Sequence, residues 1–591
     1  MKYMSSAGDY KVDRPGSLIR RASRIAPELK WPFVGTIGVA VLATVARLLG
    51  PLIVKGGIDN GISQGDKGAI YVASGLFVGA LVVQYFTTAL SQWSVAHVGE
   101  RYLVKLRSVV FARLLRLDLG FYTRSKSGVL VSRMTSDIES LQEFASEGAV
   151  LALSNLLTVI GVAVALGFVD WHMALAVFGV IAILIVVSAI FQRQARRAYD
   201  LVRERIGSVL AALQEGITGV RVVQAFTQEA PQASTFGRVN ESHFEANMAS
   251  ARAISWYFPV VSFLRVGAMA AALGIGVVRV MDGSISMGTL VAFLLYLDWF
   301  FQPIMNLSNV YNLLQSALAA LAKLYELVDE PAVINDREGA YDLTTPVEGS
   351  IEIDNLSFEY LSGVPTLIDV CISVQAGQRI AIVGETGSGK STIAKLIMRF
   401  YDPTAGTIRI DGQDLSDLTG QSRIESIALI PQDGFLFSGT LRENLVYADP
   451  DATDDDVWRV LETMGIDTWI RSLPGGLDTQ VRERGSRFSS GERQLVALAR
   501  AFLADPAVIV LDEATSNLDP ETEVNVETAL KILLEGRTSV VIAHRLRSAE
   551  RADRVFMIAD GAVIAEGTHN ELAETSQPYR ELVDAWKVGL A

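Results

Sequence analysis

The sequence predicts a multidomain membrane protein in which an all-α transmembrane domain of six helices precedes an α/β domain, and three observations carry that prediction. Hydrophobic residues make up 50% of the 591-residue chain and the mean hydropathy is +0.31, too apolar for a soluble protein unless long segments sit in lipid. Long apolar runs fill the first half of the chain. Past residue 349 the texture changes to short β-rich runs alternating with helical patterns, as in a sheet covered by helices. The net charge of −13 and the pI of about 5.1 argue against a nucleic-acid partner, because phosphate binding draws on clustered Lys and Arg. A single cysteine, Cys371, excludes an internal disulfide and a cysteine-rich metal site.

Residues 1–30 read as a polar cytoplasmic segment with Arg14, Arg20, Arg21 and Arg24. The apolar run beginning at Trp31 is too long for a secretory core and leads into further spans, so it reads as a retained first span. A helix needs roughly 20 apolar residues to cross the hydrocarbon layer. Six runs qualify: Trp31 to Ile53, Ile70 to Val95, Val150 to Val169, Met173 to Phe191, Ile254 to Val280 and Thr289 to Leu313. They define a transmembrane domain over 31–328, in contact with membrane lipid.

The connections between the spans set the orientation. Between spans two and three lie Arg101, Lys105, Arg107, Arg113, Arg116, Arg124, Lys126 and Arg133, and between four and five Arg193, Arg196, Arg197, Arg203 and Arg205. The other connections are short and carry Asp170 and Asp282 instead. Basic loops favour the cytoplasmic side, which puts the N-terminus there too. The periodicity of Leu103, Leu106, Val110, Leu114 and Leu117 predicts helices that continue below the membrane. Within the spans stand Arg47, Arg265 and Asp298; an intramembrane charge points either to a substrate path or to a structural pair, and both readings stay open. Pro303 is expected to loosen the sixth helix. The aromatic residues Trp93, Tyr257, Phe258, Phe263, Trp299 and Phe300 read mainly as packing.

A polar stretch with Pro331 and Pro346 gives a linker over 329–348. In the domain over 349–591, the strand Ile380 to Val383 runs into Gly384, Glu385, Thr386, Gly387, Ser388, Gly389, Lys390, Ser391 and Thr392, a G-x-x-x-x-G-K-[ST] match between strand and helix. The glycines allow the tight turn whose amides cradle phosphates, Lys390 supplies positive charge and Ser391 a ligand for Mg²⁺. This is an α/β P-loop ATPase domain. The apolar strand from Val508 ends in Asp512 and Glu513, suited to hold Mg²⁺ and to polarise the attacking water respectively. His544 closes the run Ser539 to Ala543, where it can reach the terminal phosphate or serve only the fold, and Gln432 follows the run Ile427 to Pro431 as a Mg²⁺ or water contact or a plain loop amide.

The order of these motifs resembles that of ABC transporters, and the layout resembles a half-transporter of the multidrug and lipid exporter type from about Trp31 to the end. The likeness includes Tyr360 as the aromatic residue that stacks on adenine, Gln432, Glu483-Arg484-Gly485, the Asp512-Glu513 pair, Ser516 to Asp519 as the D-loop and His544 as the switch histidine. Phe121-Tyr122, Gly128, Ser132-Arg133 and Asp137 resemble the first intracellular loop and Glu215 to Phe226 the second, which in the family dock on the ATPase domains. The resemblance implies ATP and Mg²⁺ as cofactors, with ATP sandwiched between the phosphate loop of one chain and the signature of a second half-transporter. It also implies export of small hydrophobic or amphipathic compounds by alternating access, in a bacterial inner membrane. The signature departs from the family's L-S-G-G-Q: Phe488-Ser489-Ser490-Gly491-Glu492 adds a Cβ at Ser490 and a negative charge at Glu492. Asymmetric members pair one altered signature with one altered catalytic set, so a heterodimer is favoured, with a homodimer as the alternative. Import by the same architecture, or ATP gating of a channel or partner protein, are the competing functions.

Overall fold

The computed structural model describes residues 15–432, 434–512, 520–543 and 545–588. Two compact units result, one of Met1–Leu114 with Gly128–Asp329 and one of Leu115–Ser127 with Glu330–Ala591.

The first unit is helical. Its long helices are Lys30–Gly56, Lys67–Leu114, Ala149–Val169, Trp171–Thr218, Glu229–Met281 and Met287–Asp329. Among the described residues five helical stretches are long and apolar enough to cross a membrane: Pro27–Ile62, Lys67–Leu114, Ser127–Val169, Trp171–Thr218 and Glu229–Met281. Met287–Asp329, of 43 residues, is the sixth long helix and contains the apolar run Thr289 to Leu313. At about 1.5 Å per residue a 48-residue helix spans roughly 72 Å, more than twice the hydrocarbon thickness. The buried positions of Lys67–Leu114 beyond the span are Leu103, Leu106, Val110 and Leu114, so the helical extension read from their spacing is present and packed on one face.

Neighbouring helices pair along their lengths, Trp171–Thr218 with Glu229–Met281 and Lys30–Gly56 with Lys67–Leu114. The core between them holds Val162, Leu166, Tyr257, Phe293, Tyr296 and Phe301. Tyr257 stacks on Phe191 at 3.9 Å between centroids and its hydroxyl meets Ser188 Oγ at 3.0 Å. Packing therefore accounts for Tyr257 and Phe300, whereas Trp93 and Phe263 lie exposed on the helical surface. The helix containing Pro303 runs through it without interruption. Asp170 accepts from Met173 N at 2.9 Å and pairs with Arg279 at 3.1 Å, closing the tight connection between the third and fourth helices against the end of the fifth. On the basic side, Arg133 meets Glu326 at 3.2 Å and Lys323 donates to Asp137 at 2.9 Å, so the first long connection is pinned to the end of the sixth helix.

The second unit contains the α/β domain. Strands β1 (Ile351–Leu361), β2 (Val364–Val374), β3 (Arg379–Val383), β4 (Ala405–Ile410), β5 (Gln413–Asp414) and β6 (Ile427–Ile430) come first. A small ribbon follows, β7 (Gly439–Thr440) with β8 (Gln480–Val481), then β9 (Val508–Asp512), β10 (Thr538–Ile542), β11 (Arg554–Ala559) and β12 (Ala562–Gly567). The antiparallel sheet has the order β2-β1-β4-β5, and the main sheet β12-β11-β3-β10-β9-β6, parallel except at β12. Continuous burial of Ile380 to Val383 and of Val508 to Leu511 is what a parallel sheet covered on both faces demands.

The short helix Leu119–Arg124 belongs to this unit. Asp118 caps it by accepting from Phe121 N at 2.8 Å, and Thr123 Oγ1 lies 3.2 Å from the Tyr401 hydroxyl. The connecting segment after residue 329 is also tied here, through Arg337 to Asp417 at 2.8 Å and through buried Leu343.

Candidate nucleotide-binding site

Because β3, β10, β9 and β6 are neighbours and parallel, their C-terminal ends lie along one edge of the sheet. The turn after β3 has positive φ at Gly384, Gly387 and Gly389, at 149°, 89° and 104°. A Cβ on Gly384 would lie 2.1 Å from the carbonyl oxygen of Ile558, and one on Gly389 would lie 3.0 Å from that of Thr366. Neither position tolerates a side chain, so the loop backbone stays bare beside the helix Lys390–Ile397. Glu385 and Thr386 form its exposed rim, while Ser388 and Thr392 are buried.

Lys390 is only 4% exposed, and its Nζ donates to the carbonyls of Gly384 at 2.8 Å and Glu385 at 2.7 Å, so the ammonium is held inside the loop. Ser388 Oγ is buried with no partner among the described residues. A bare concave turn, a captive ammonium and an unsatisfied hydroxyl fit the phosphates of a nucleotide. Ser391 Oγ is 3.5 Å from Asp512 Oδ1 at the tip of β9, an oxygen pair of the kind Mg²⁺ takes together with phosphate oxygens. Among the described residues no group of three His, Cys, Asp or Glu forms a metal site. Gln432 lies exposed two residues beyond β6, the strand next to β9. Tyr360 sits over the same helix: its hydroxyl is 3.2 Å from Thr392 Oγ1, and Phe358 and Tyr401 meet its ring edge-on. The structure thus brings Tyr360, the phosphate loop, Ser391 and Asp512 together; Glu513, Asp519 and His544 lie outside the described residues.

The signature residues form a separate feature. Ser489 is the N-cap of helix Ser490–Leu503, its Oγ accepting from Glu492 N at 3.2 Å while Glu492 Oε2 accepts from Ser489 N at 2.7 Å. The other oxygen, Glu492 Oε1, accepts from the Trp469 indole at 3.0 Å. Both carboxylate oxygens are therefore engaged inside their own domain. The spacing S-x-x-E is a capping-box signature and was legible, whereas Trp469 has no local signal. Ser490 is exposed and Gly491 buried. Ser489→Ala is expected to remove about 1 kcal/mol of local helix stability, and Glu492→Gln a comparable amount, because its amide keeps one acceptor oxygen and sets an NH2 against the second N–H donor, Ser489 N or the Trp469 indole. Amide hydrogen exchange over the first turn of this helix checks both; equal protection in all three proteins would show that the cap is not stabilising.

A nucleotide-binding α/β domain that follows a bundle of membrane-length helices in one chain defines an ATP-powered, multi-pass membrane protein. The family description "ABC transporter transmembrane region" matches residues 33–304 and "ABC transporter" matches 367–516. The chain is 36% identical, over 93% of its length and 90% of the relative, to the uncharacterized ABC transporter ATP-binding protein YknV of Bacillus subtilis (strain 168). It is 34% identical to an ATP-dependent lipid A-core flippase of Syntrophus aciditrophicus (strain SB), over 82% of this chain and 80% of that protein. Among solved structures it is similar to a bacterial Atm1-family ABC exporter with ATP bound, with a TM-score of 0.78 at 26% identity, covering 95% of this chain and 99% of that one. This chain belongs to the ABC transporters: it binds nucleotide and couples an ATPase to export.

Proposed function

We propose that this chain is one half of a two-chain exporter of hydrophobic or amphipathic compounds, set in a bacterial inner membrane with its basic loops and ATP-binding domain in the cytoplasm. Relatives named as a lipid A-core flippase, a fatty acid transporter and a multidrug efflux protein support the substrate class. The basic residues of the two long connections support the orientation. Ser391, Asp512 and Gln432 would hold Mg²⁺ beside the phosphates, and the ion would supply charge neutralisation at the phosphoryl oxygens. Lys390 holds the outer phosphates, Tyr360 stacks on the base, Glu513 orients the attacking water and His544 contacts the terminal phosphate. Ser489, Ser490, Gly491, Glu492 and Asp519 face the nucleotide bound by the partner chain.

The observation that carries the heterodimer is the signature Phe488 to Glu492, altered in a chain whose Glu513 and His544 match the active pattern. The partner supplies the intact signature that completes this chain's phosphate loop. One specific observation favours the homodimer instead: Trp469 and the Ser489 amide occupy both oxygens of Glu492, which reduces the charge it can present to a nucleotide. ATPase activity of the chain purified alone in lipid, beside Glu513→Gln, decides between them. Turnover of the lone chain at the level of the Glu513→Gln variant is expected. Robust turnover that the variant abolishes would establish a homodimer and overturn the two-chain reading.

A further inference from the structure

Away from the span ends, where Arg279 pairs with Asp170, three ionisable side chains stand at the level of the spans, and they do not cancel. Asp298 is taken by Arg265, Nη1 to Oδ1 at 2.5 Å. Arg47, near the middle of the continuous helical run Pro27–Ile62, has no carboxylate partner among the described residues. Its guanidinium lies 5.0 Å from the centroid of the Trp299 ring. Beside it is a cavity of about 240 Å³ whose lining includes Arg47, Gln84, Gly50, Phe77, Leu81 and Trp299.

An intramembrane cation that pairs with nothing is expensive, and it is retained where something binds to it. The indole face steadies the guanidinium from one side by cation–π attraction. The guanidinium's N–H donors meet no acceptor among the described residues, so they stay open to a planar or tetrahedral anion. Gln84 adds an amide donor, while Phe77, Leu81 and the backbone at Gly50 present apolar surface. The lining therefore joins one positive charge and one polar side chain to hydrocarbon.

We propose that this cavity binds the anionic headgroup of an amphipathic ligand, a carboxylate or phosphate, with the adjoining apolar chain against Phe77 and Leu81. The proposal rests on the export reading above and narrows its substrate class to anionic amphiphiles. The volume accommodates a headgroup and the start of a chain rather than a whole lipid, so the tail leaves the cavity between helices.

Tryptophan quenching in nanodiscs tests it on the full chain, together with any second half-transporter that co-purifies. The probes are a brominated stearic acid and the corresponding uncharged brominated alcohol, and Trp299→Phe identifies the part of the signal that comes from the site. The acid is expected to quench at a concentration at least about tenfold lower than the alcohol. Arg47→Gln should bring that ratio close to one, and Arg47→Lys, which keeps the charge, should retain most of it. A wild-type protein without acid preference, or an Arg47→Gln protein that keeps it, would overturn the proposal. Titration in discs of phosphatidylcholine and of phosphatidylglycerol separates the two sources of the anion: competition by phosphatidylglycerol assigns the cavity to a bilayer lipid, and lack of competition to a single-chain acid. Binding is read without ATP, so acid preference without vesicle export would remove the export assignment and leave the site, whereas export without acid preference would do the reverse.

Discussion

In the transporter assembled with its second half, Lys390→Ala is expected to lower ATP turnover by roughly a thousandfold, the scale on which removing one preorganised electrostatic contact acts in a water-excluded site. The effect has two sources. Lys390 is the cation of the phosphate loop, and its burial at 4% exposure strengthens every interaction it makes with phosphate oxygens. It also donates to the Gly384 and Glu385 carbonyls, so alanine takes away ties that shape the turn whose amides face the phosphates. Arginine should rescue little, because the pocket is built around a compact ammonium between two carbonyls and the guanidinium is a larger, planar group. Hydrolysis in lipid and equilibrium binding of a nonhydrolysable nucleotide should fall together in both variants, while the melting temperature without nucleotide stays within a few degrees. Retained turnover in Lys390→Ala would remove this loop as the ATP site.

The parts of the fold that were legible in the sequence are those governed by local rules. The turn after β3 needed positive φ at Gly384 and Gly389, and no other residue type meets that need cheaply, so the glycines announced the loop before the structure placed it. Burial of Leu103, Leu106, Val110 and Leu114 on one face follows from their spacing alone. What the sequence concealed depends on residues far apart in the chain. The expected clash of Glu492 with nucleotide took no account of Trp469, 23 positions earlier, whose indole occupies one of its oxygens. Arg47 gave no sign that Trp299 would lie under it, and the ties of Arg133 and Asp137 to the end of the sixth helix span nearly 190 residues. Helix contacts in a membrane bundle rest on shape and on a few polar pairs, since hydrocarbon outside and inside the bundle differ little, and such pairs carry no periodic signature.

Asp298→Asn is expected to cost most of the folded yield, and more than Arg265→Gln costs. With Arg47, Arg265 and Asp298 all present the layer carries one net positive charge. Removing Asp298 leaves two uncompensated cations, whereas removing Arg265 leaves one charge of each sign, with Asp298 adjacent in sequence to the ring on which Arg47 stacks. Breaking a fully buried ion pair costs about 3–5 kcal/mol and an exposed one about 0–1 kcal/mol; these side chains are 41% and 46% exposed, so an intermediate cost of about 1–2 kcal/mol is the expectation. That is a large share of the stability of any folded protein. Arg265 is on the fifth long helix and Asp298 on the sixth, so the pair also joins two helices. The double variant Arg265→Gln with Asp298→Asn removes both charges and should recover the monodisperse peak in size-exclusion chromatography that Asp298→Asn loses. Equal yields for all of these variants would show that the pair does not hold the helices together. Transport by the double variant then separates the two roles of the pair: export at the original rate assigns it to structure, and a stable protein that no longer exports assigns it to the substrate path.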